Sequence, residues 1–424
     1  MKKKEIIIMG FALFAMFFGA GNLIFPPSIG VNVGKDWFFS GIGFLLTGVG
    51  LPLLGILSFT KIGKLDNFAI KISSRFNTTY CTCLVLVIGP LFAIPRTGST
   101  TLEMGILPFV NSNYHFFVSI IGSILFFSLT LALVLKKSTI TDIIGKFLTP
   151  IILIILILLS FLGITKDIGS PISKDVDNVF TYGFINGYQT MDAIASVLFG
   201  SIIVKGLEEK GITNFNEKKK YLSIAGIIAA LGLGLIYFCL IYLGARISGI
   251  SNFSSTTMAS LYLAQITMGH LGKLIFGICV SAACLTTSVG LVALVGDWFE
   301  KITTFSYKNI ATFTCIFSAI MAINGVDFII KLSVPVLCIL YPVTIILILL
   351  NIFEVSNKLV YRTATYTTLT IVILQMITST LKISYLYNFF NSIPFSKSGF
   401  AWLFPCLIGI IISIIISKKR TKVL

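Results

Sequence analysis

Apolar stretches of membrane-spanning length recur along the whole 424-residue chain, and that repetition decides what the sequence can fold into. A helix needs about 20 apolar residues to cross the hydrocarbon of a bilayer. Twelve candidates occur, at about 6–30, 37–59, 79–105, 115–135, 141–164, 186–205, 221–245, 272–296, 309–325, 328–352, 364–382 and 399–417. With 56% hydrophobic and only 11% charged residues, the chain reads as one all-helical, polytopic membrane domain over residues 1–424, with the lipid bilayer as its surroundings. The opening MKKKE and the run behind it look like a secretory signal, but the run outlasts signal length and many like it follow, so a retained first span is expected.

A formal charge of +16 invites a nucleic-acid partner, yet the lysines and arginines sit in short loops between apolar runs, which is a topology signal. With the N-terminus inside, the inner segments hold Lys2 to Lys4; Lys61, Lys64, Lys71 and Arg75; Lys136 and Lys137; Lys205, Lys210 and Lys218 to Lys220. Later inner segments add Lys301 and Lys308, Lys358 and Arg362, and Lys418 to Arg420 with Lys422, whereas outer segments carry one or two each. This predicts an even span count with both ends cytoplasmic. The outer connectors at about 165–185 and 246–271 are the longest, and Met258, Leu261, Tyr262 and Ile266 predict a helix within the second.

Catalytic signatures are lacking. No HExxH, GxSxG or phosphate loop ending in GK[ST] occurs, and His115 and His270 fall near span ends, so an enzyme is not expected. Of the eight cysteines, most lie within apolar runs; Cys81 and Cys83 lack a second pair or flanking histidine for zinc, and buried free thiols are expected.

The first run is interrupted where a spanning helix should be continuous. Phe17 to Pro27 reads FFGAGNLIFPP. A break here leaves carbonyls without partners on the upstream half and N–H groups at a positive dipole end on the downstream half. Carbonyls suit a hard cation such as sodium, and N–H groups suit a carboxylate. Pro26 and Pro27 are expected in the first turn of the outer half-helix, where a missing N–H costs little. The same residues also fit a simple kink or a small-residue packing face. Secondary transporters often carry such breaks in both of two inverted repeats. The repeats would then fall at about 6–164 and 186–352, with helices 11 and 12 at about 364–417, and NGYQTMDAIASVLFG in the sixth run would hold the second break.

Two further clusters stand within apolar runs. SAACLTTSVGL, Ser281 to Leu291, sets Thr286, Thr287 and Ser288 in sequence at mid-membrane, where hydroxyls either bond back to their own helix or offer oxygens to a cation. Arg96 and Glu103 lie about two turns apart in the third run and Asp192 lies in the sixth; such residues form an internal pair or touch a ligand.

GFALFAMFFGAGNLIFPP, GPLFAIPRTGSTTLEMGI, GYQTMDAIASVLFG and ACLTTSVGLVALVGDWFE, in that order, resemble the bacterial branched-chain amino acid carrier family of the BrnQ type. That family belongs to the amino acid-polyamine-organocation superfamily. The resemblance implies a leucine-transporter-like fold, a five-plus-five inverted repeat with helices 1 and 6 broken, in a bacterial cytoplasmic membrane. It also implies a symporter importing leucine, isoleucine and valine with sodium by alternating access, spans 1, 2, 6 and 7 rocking against 3, 4, 8 and 9.

By the same resemblance, sodium would be held by the carbonyls of Ala15, Phe18 and Ala283 and the hydroxyls of Thr286 and Thr287. The substrate carboxylate would meet N–H groups near Gly21 and Asn22. Its ammonium would meet carbonyls around Phe17, Gly19 and Ala20 and, in the sixth span, around Thr190, Met191, Asp192 and Ala193. Span 221–245 lacks the asparagine that serves a second sodium site in some transporters of this fold, so one sodium and no other cofactor is expected. Proton coupling through Asp192 or Glu103 stays open, as does a channel or sensor on the same scaffold.

Overall fold

The computed structural model describes residues 3–136, 140–250, 253, 255–381, 390 and 392–421. Among them the chain is helical, with one isolated bridge between Gly34 and Ser173. The first half comprises α1 (Lys3–Phe17), α2 (Ala20–Val33), α3 (Trp37–Ile62), α4 (Ser74–Phe109), α5 (Ser112–Leu135), α6 (Ile140–Thr165) and α7 (Val179–Tyr188). The second comprises α8 (Asp192–Glu209), α9 (Phe215–Arg246), α10 (Met258–Ile302), α11 (Tyr307–Ala322), α12 (Val326–Ile352), α13 (Lys358–Leu381) and α14 (Leu403–Thr421). Every apolar run lies on one or two of these helices over its described residues. Among the described residues six are long and apolar enough to cross a membrane, and counting each bent pair, α1 with α2 and α7 with α8, as one span raises this to eight.

Both interruptions are present. The axes of α1 and α2 diverge by 71° and those of α7 and α8 by 40°. The helix restarts earlier than the prolines suggest, at Ala20 behind an extended Gly19, so Pro26 and Pro27 lie two turns inside α2 rather than in its first turn. The local chemistry permits this. Pro27 has no N–H to give the Leu23 carbonyl, and Ser260 Oγ donates to that oxygen instead, at 2.7 Å. Ser260 lies on the connector helix expected around Met258, which forms the start of α10 and turns at Gly269, whose φ of 73° is one that glycine adopts without strain. All eight cysteines are free, and Cys83, contrary to expectation, is exposed.

Close backbone approaches, made possible by glycine, organise the helices into two sets. In the first, a Cβ on Gly30 of α2 would stand 1.9 Å from the Ile241 carbonyl of α9, and one on Gly244 of α9 only 2.1 Å from the Pro27 carbonyl. Gly183 of α7 meets the Ser40 carbonyl of α3 in the same way, at 1.9 Å, and α1 lies against α9. In the second, α4 reaches α11 through Ser99 Oγ donating to Ala322 O at 2.9 Å, and α5 reaches α11 through Ser123 Oγ donating to Ala319 O at 2.7 Å. There α10 joins α4 at Gly277, whose Cβ would be 2.4 Å from Met104 O.

A Gly244→Val substitution should therefore lower stability by roughly 3 kcal/mol, the upper end of over-packing costs, because the obstacle is backbone. Gly206→Ala, with nothing within 4 Å of the new methyl, should be neutral or raise stability by about 0.5–1 kcal/mol. Thermal unfolding midpoints of the two detergent-purified variants check this; equal midpoints would contradict the packing account.

Candidate functional site

At the first break Phe18 N–H still donates to Phe14 O at 2.9 Å, but Gly19 N–H turns to Phe17 O at 3.0 Å and Asn22 N–H to Gly19 O at 3.2 Å. In a continuous helix those two amides would reach Ala15 O and Phe18 O, so the turn releases both carbonyls. The Asn22 side chain ties the two interruptions together: Nδ2 donates to Phe17 O and, at 3.0 Å, to Asp192 Oδ2. One expectation changes here. The Asn22 N–H is already engaged, which leaves the amides of Ala20 and Gly21 at the open end of α2.

The second break runs through Gln189, Thr190 and Met191. Successive amides close tight three-residue turns, Gln189 to Asn186 O at 3.0 Å and Met191 to Tyr188 O at 3.0 Å. Met191 has φ 61° and ψ 10°, a left-handed conformation that costs a non-glycine residue about 1–3 kcal/mol. Its side chain is buried, and Asp192 opens α8 with its N–H directed to Thr190 Oγ1 at 3.3 Å.

Between the breaks lies a cavity of about 1020 Å³. Ala15, Phe17, Gly19, Ala20 and Gly21 line it from the first break, Thr190, Met191 and Asp192 from the second, and Thr286 and Thr287 from α10. It continues along α1 past Ala12 to Ile8 and along α8 to Phe199, toward the side that holds the chain's N-terminus. Thr287 Oγ1 stands 4.0 Å from where a Gly19 Cβ would be, so α10 meets the first break directly. Thr286 Oγ1 donates to Ala283 O at 2.9 Å. Asn22, Phe18, Ala193 and Ala283 are buried behind the wall, with Phe18 stacked on Phe14 at 5.3 Å between ring centres. Ser288 faces away, accepting from Thr130 Oγ1 at 3.5 Å.

The opposite end of the cavity is closed by polar contacts that sequence reasoning did not find. Arg96 Nη1 donates to Gln189 O at 2.5 Å, and its guanidinium lies over the Phe25 ring at 5.3 Å. Ser333 Oγ of α12 donates to Gln189 Oε1 at 2.9 Å. Glu103 accepts from Thr257 Oγ1 at 2.6 Å and from the Val326 N–H at 2.8 Å, so it caps α12 from another helix. Arg96 forms no ion pair within 4.0 Å with Glu103 or Asp192, against one expectation. The wide turn at Leu102–Ile106 carries Glu103 off the regular register of α4. The left-handed Met191 was invisible in the sequence; Gln189 was signalled only by adjoining the expected break.

A family model described as a branched-chain amino acid transport protein matches residues 2–420. The chain belongs to this family. It is 37% identical over 431 residues to the branched-chain amino acid permease BrnQ of Bacillus subtilis (strain 168), covering 98% of each chain. It is 34% identical over 431 residues to the branched-chain amino acid transport system 2 carrier protein of Pseudomonas aeruginosa, covering 100% of this chain and 98% of that one. The relatives are named as permeases and carriers, in agreement with the reading against an enzyme. Among solved structures, the inward-facing conformation of Mhp1 superposes with a TM-score of 0.64 at 10% identity, covering 98% of this chain and 91% of that one. MhsT in complex with L-phenylalanine gives 0.52 at 18% identity, covering 96% and 98%. The carrier thus has the leucine-transporter-like helical fold.

Glu103→Ala should loosen the closed end. It removes two hydrogen bonds to a carboxyl, together roughly 3 kcal/mol, so a cysteine placed at the buried Ser260 should react with maleimide at least about tenfold faster in the purified Glu103→Ala protein. An unchanged labelling rate would contradict the clamp.

Proposed function

We propose that the carrier is a sodium-coupled symporter that imports leucine, isoleucine and valine by alternating access. The observation that carries this reading is the meeting, in one cavity, of two broken helices and two α10 hydroxyls. The released carbonyls of Ala15 and Phe18, with Thr286 and Thr287 nearby, are neutral oxygen donors of the kind a hard monovalent cation prefers. The Ala20 and Gly21 amides at the head of α2 suit a carboxylate. Phe17, Ala12, Phe11 and Phe199 make the adjoining wall apolar, as an aliphatic side chain requires. The relatives' names, which specify branched-chain amino acids, support the substrate class.

The architecture proposed is twelve spans with both ends cytoplasmic, in a bacterial cytoplasmic membrane. Spans 1 to 5 and 6 to 10, about 6–164 and 186–352, form the inverted repeats, with helices 11 and 12 appended. Phe116, Ile154, Leu231 and Phe313, each at least 64% exposed, supply the outward apolar faces that lipid would cover. With that orientation the cavity opens inward while the Arg96 and Glu103 contacts close the outer end. The two packed helix sets are then the bodies that rock.

Purified protein in liposomes should concentrate labelled leucine when sodium is supplied outside, and fail to do so in choline. Uptake that persists in choline with the proton gradient collapsed would refute ion coupling. Loss only on collapsing the proton gradient would move the coupling to protons, with Asp192 the carboxyl on the cavity wall. Equilibration without accumulation would indicate a channel, and binding without uptake a sensor.

Thr287→Ala should raise the sodium concentration for half-maximal uptake at least about tenfold, whereas Ser288→Ala, on the far face of α10, should leave it nearly unchanged. Equal effects on sodium dependence would count against the ion site.

A further inference from the structure

Arg96 is a buried cation that touches no carboxylate among the described residues. Its residue is 3% exposed, its Nε has no hydrogen-bond partner, and among the described residues no acidic oxygen lies within 4.0 Å of its nitrogens. It donates to a backbone carbonyl, Gln189 O, and lies over the Phe25 ring. A guanidinium removed from water in this way is costly unless an anion joins it. Placement says which anion would fit. Arg96 lines the cavity, and its Nη2 would lie 2.9 Å from a Cβ on Gly21, so glycine there lets the guanidinium lie against the first turn of α2. The Gly21 amide belongs to that same open helix end.

We propose that Arg96 is the carboxylate-recognising residue of the transport site, acting together with the first amides of α2. The proposal rests on the amino acid transport reading above. Arg96 is planar and multidentate, so it selects a carboxylate by shape as well as charge. Asp192 lies on the same cavity wall, held by Asn22 and separated from Arg96 by more than ion-pair distance. A zwitterion placed between them sets its carboxylate toward Arg96 and its ammonium toward Asp192, and leaves the aliphatic side chain for the apolar wall. An amino acid satisfies such a site; its amide, with a net positive charge and no carboxylate, does not. The contact also explains why Arg96 touches Gln189: the residue that reads the substrate is bonded to the second helix break, so occupancy is sensed where the helices must move.

The test compares leucine with leucinamide as competitors of labelled leucine binding to purified protein. Wild type should prefer leucine, and Arg96→Gln should shrink that preference at least about 30-fold by weakening leucine while sparing leucinamide. Arg96→Lys should recover part of it. A parallel fall for both ligands, or a preference that survives, would overturn the assignment, as would a wild type that does not discriminate. Should Arg96→Gln fail to fold, wild-type protein treated with phenylglyoxal gives a second reading. Leucine, and not leucinamide, should protect the Arg96 peptide from modification seen by mass spectrometry, and equal protection would overturn the proposal. A wild type that binds no leucine, isoleucine or valine would instead defeat the transport reading itself.

Discussion

A backbone group released in the middle of a membrane helix has no water to turn to, and must find protein or a solvated cavity. Both interruptions obey that constraint, and their positions follow from it. The Phe17 carbonyl is taken by the Asn22 side chain, whose amide also reaches Asp192 across the second break. One asparagine therefore fixes the spacing between α1, α2 and α8. The groups it leaves unbonded are the Ala15 carbonyl on the cavity wall, the Phe18 carbonyl just behind it and the first α2 amides. The proline pair in α2 raises the same problem one turn later, and Ser260 answers it from a different helix.

The glycine contacts hold a structure with two broken spans together in closely packed helix sets. Where Gly30 and Gly244 allow α2 and α9 to touch backbone to backbone, and Gly183 does the same for α7 and α3, no intervening side chains exist to rearrange. Such interfaces are stiff. Contacts of a different kind join the two helix sets to each other and to α12: Arg96 reaches the second break and Ser260 reaches α2 across the sets, while Glu103 and Ser333 tie α12 to α4 and to the second break, all through side-chain tips. Each of these partners can exchange its bond for water, so sliding costs far less than it would at a glycine seam.

How much of this the sequence disclosed follows from the range of the forces involved. The apolar runs and the first break were legible because glycine and proline act locally and leave a compositional trace. Met191 left none: a methionine is held left-handed by its surroundings, and propensity points the other way. Arg96 and Glu103 looked like a pair because seven residues is two helical turns, but the wide turn over Leu102–Ile106 breaks that arithmetic, and each finds its partner on another element. Of the consecutive hydroxyls Thr286, Thr287 and Ser288, local chemistry did not distinguish one from another and the family resemblance pointed to the first two; helix phase puts those two on the cavity and turns Ser288 to Thr130. The Pro26 restart was misplaced for the same reason, since Ser260 lies far along the chain.

The two ends of the cavity differ in a way that bears on energetics. The closed end is held by hydrogen bonds to charged groups, two of them onto backbone at helix ends: the Val326 N–H at the head of α12 and the Gln189 carbonyl at the end of α7. The open end is lined by apolar residues such as Ile8, Phe11 and Phe199. Opening the polar end would replace protein partners by water at small net cost, while closing the apolar end would bury hydrocarbon and gain. If access alternates as proposed, those two changes are opposite in sign, so the two states can stand within a few kcal/mol and be swapped by a ligand whose own differential affinity is no larger.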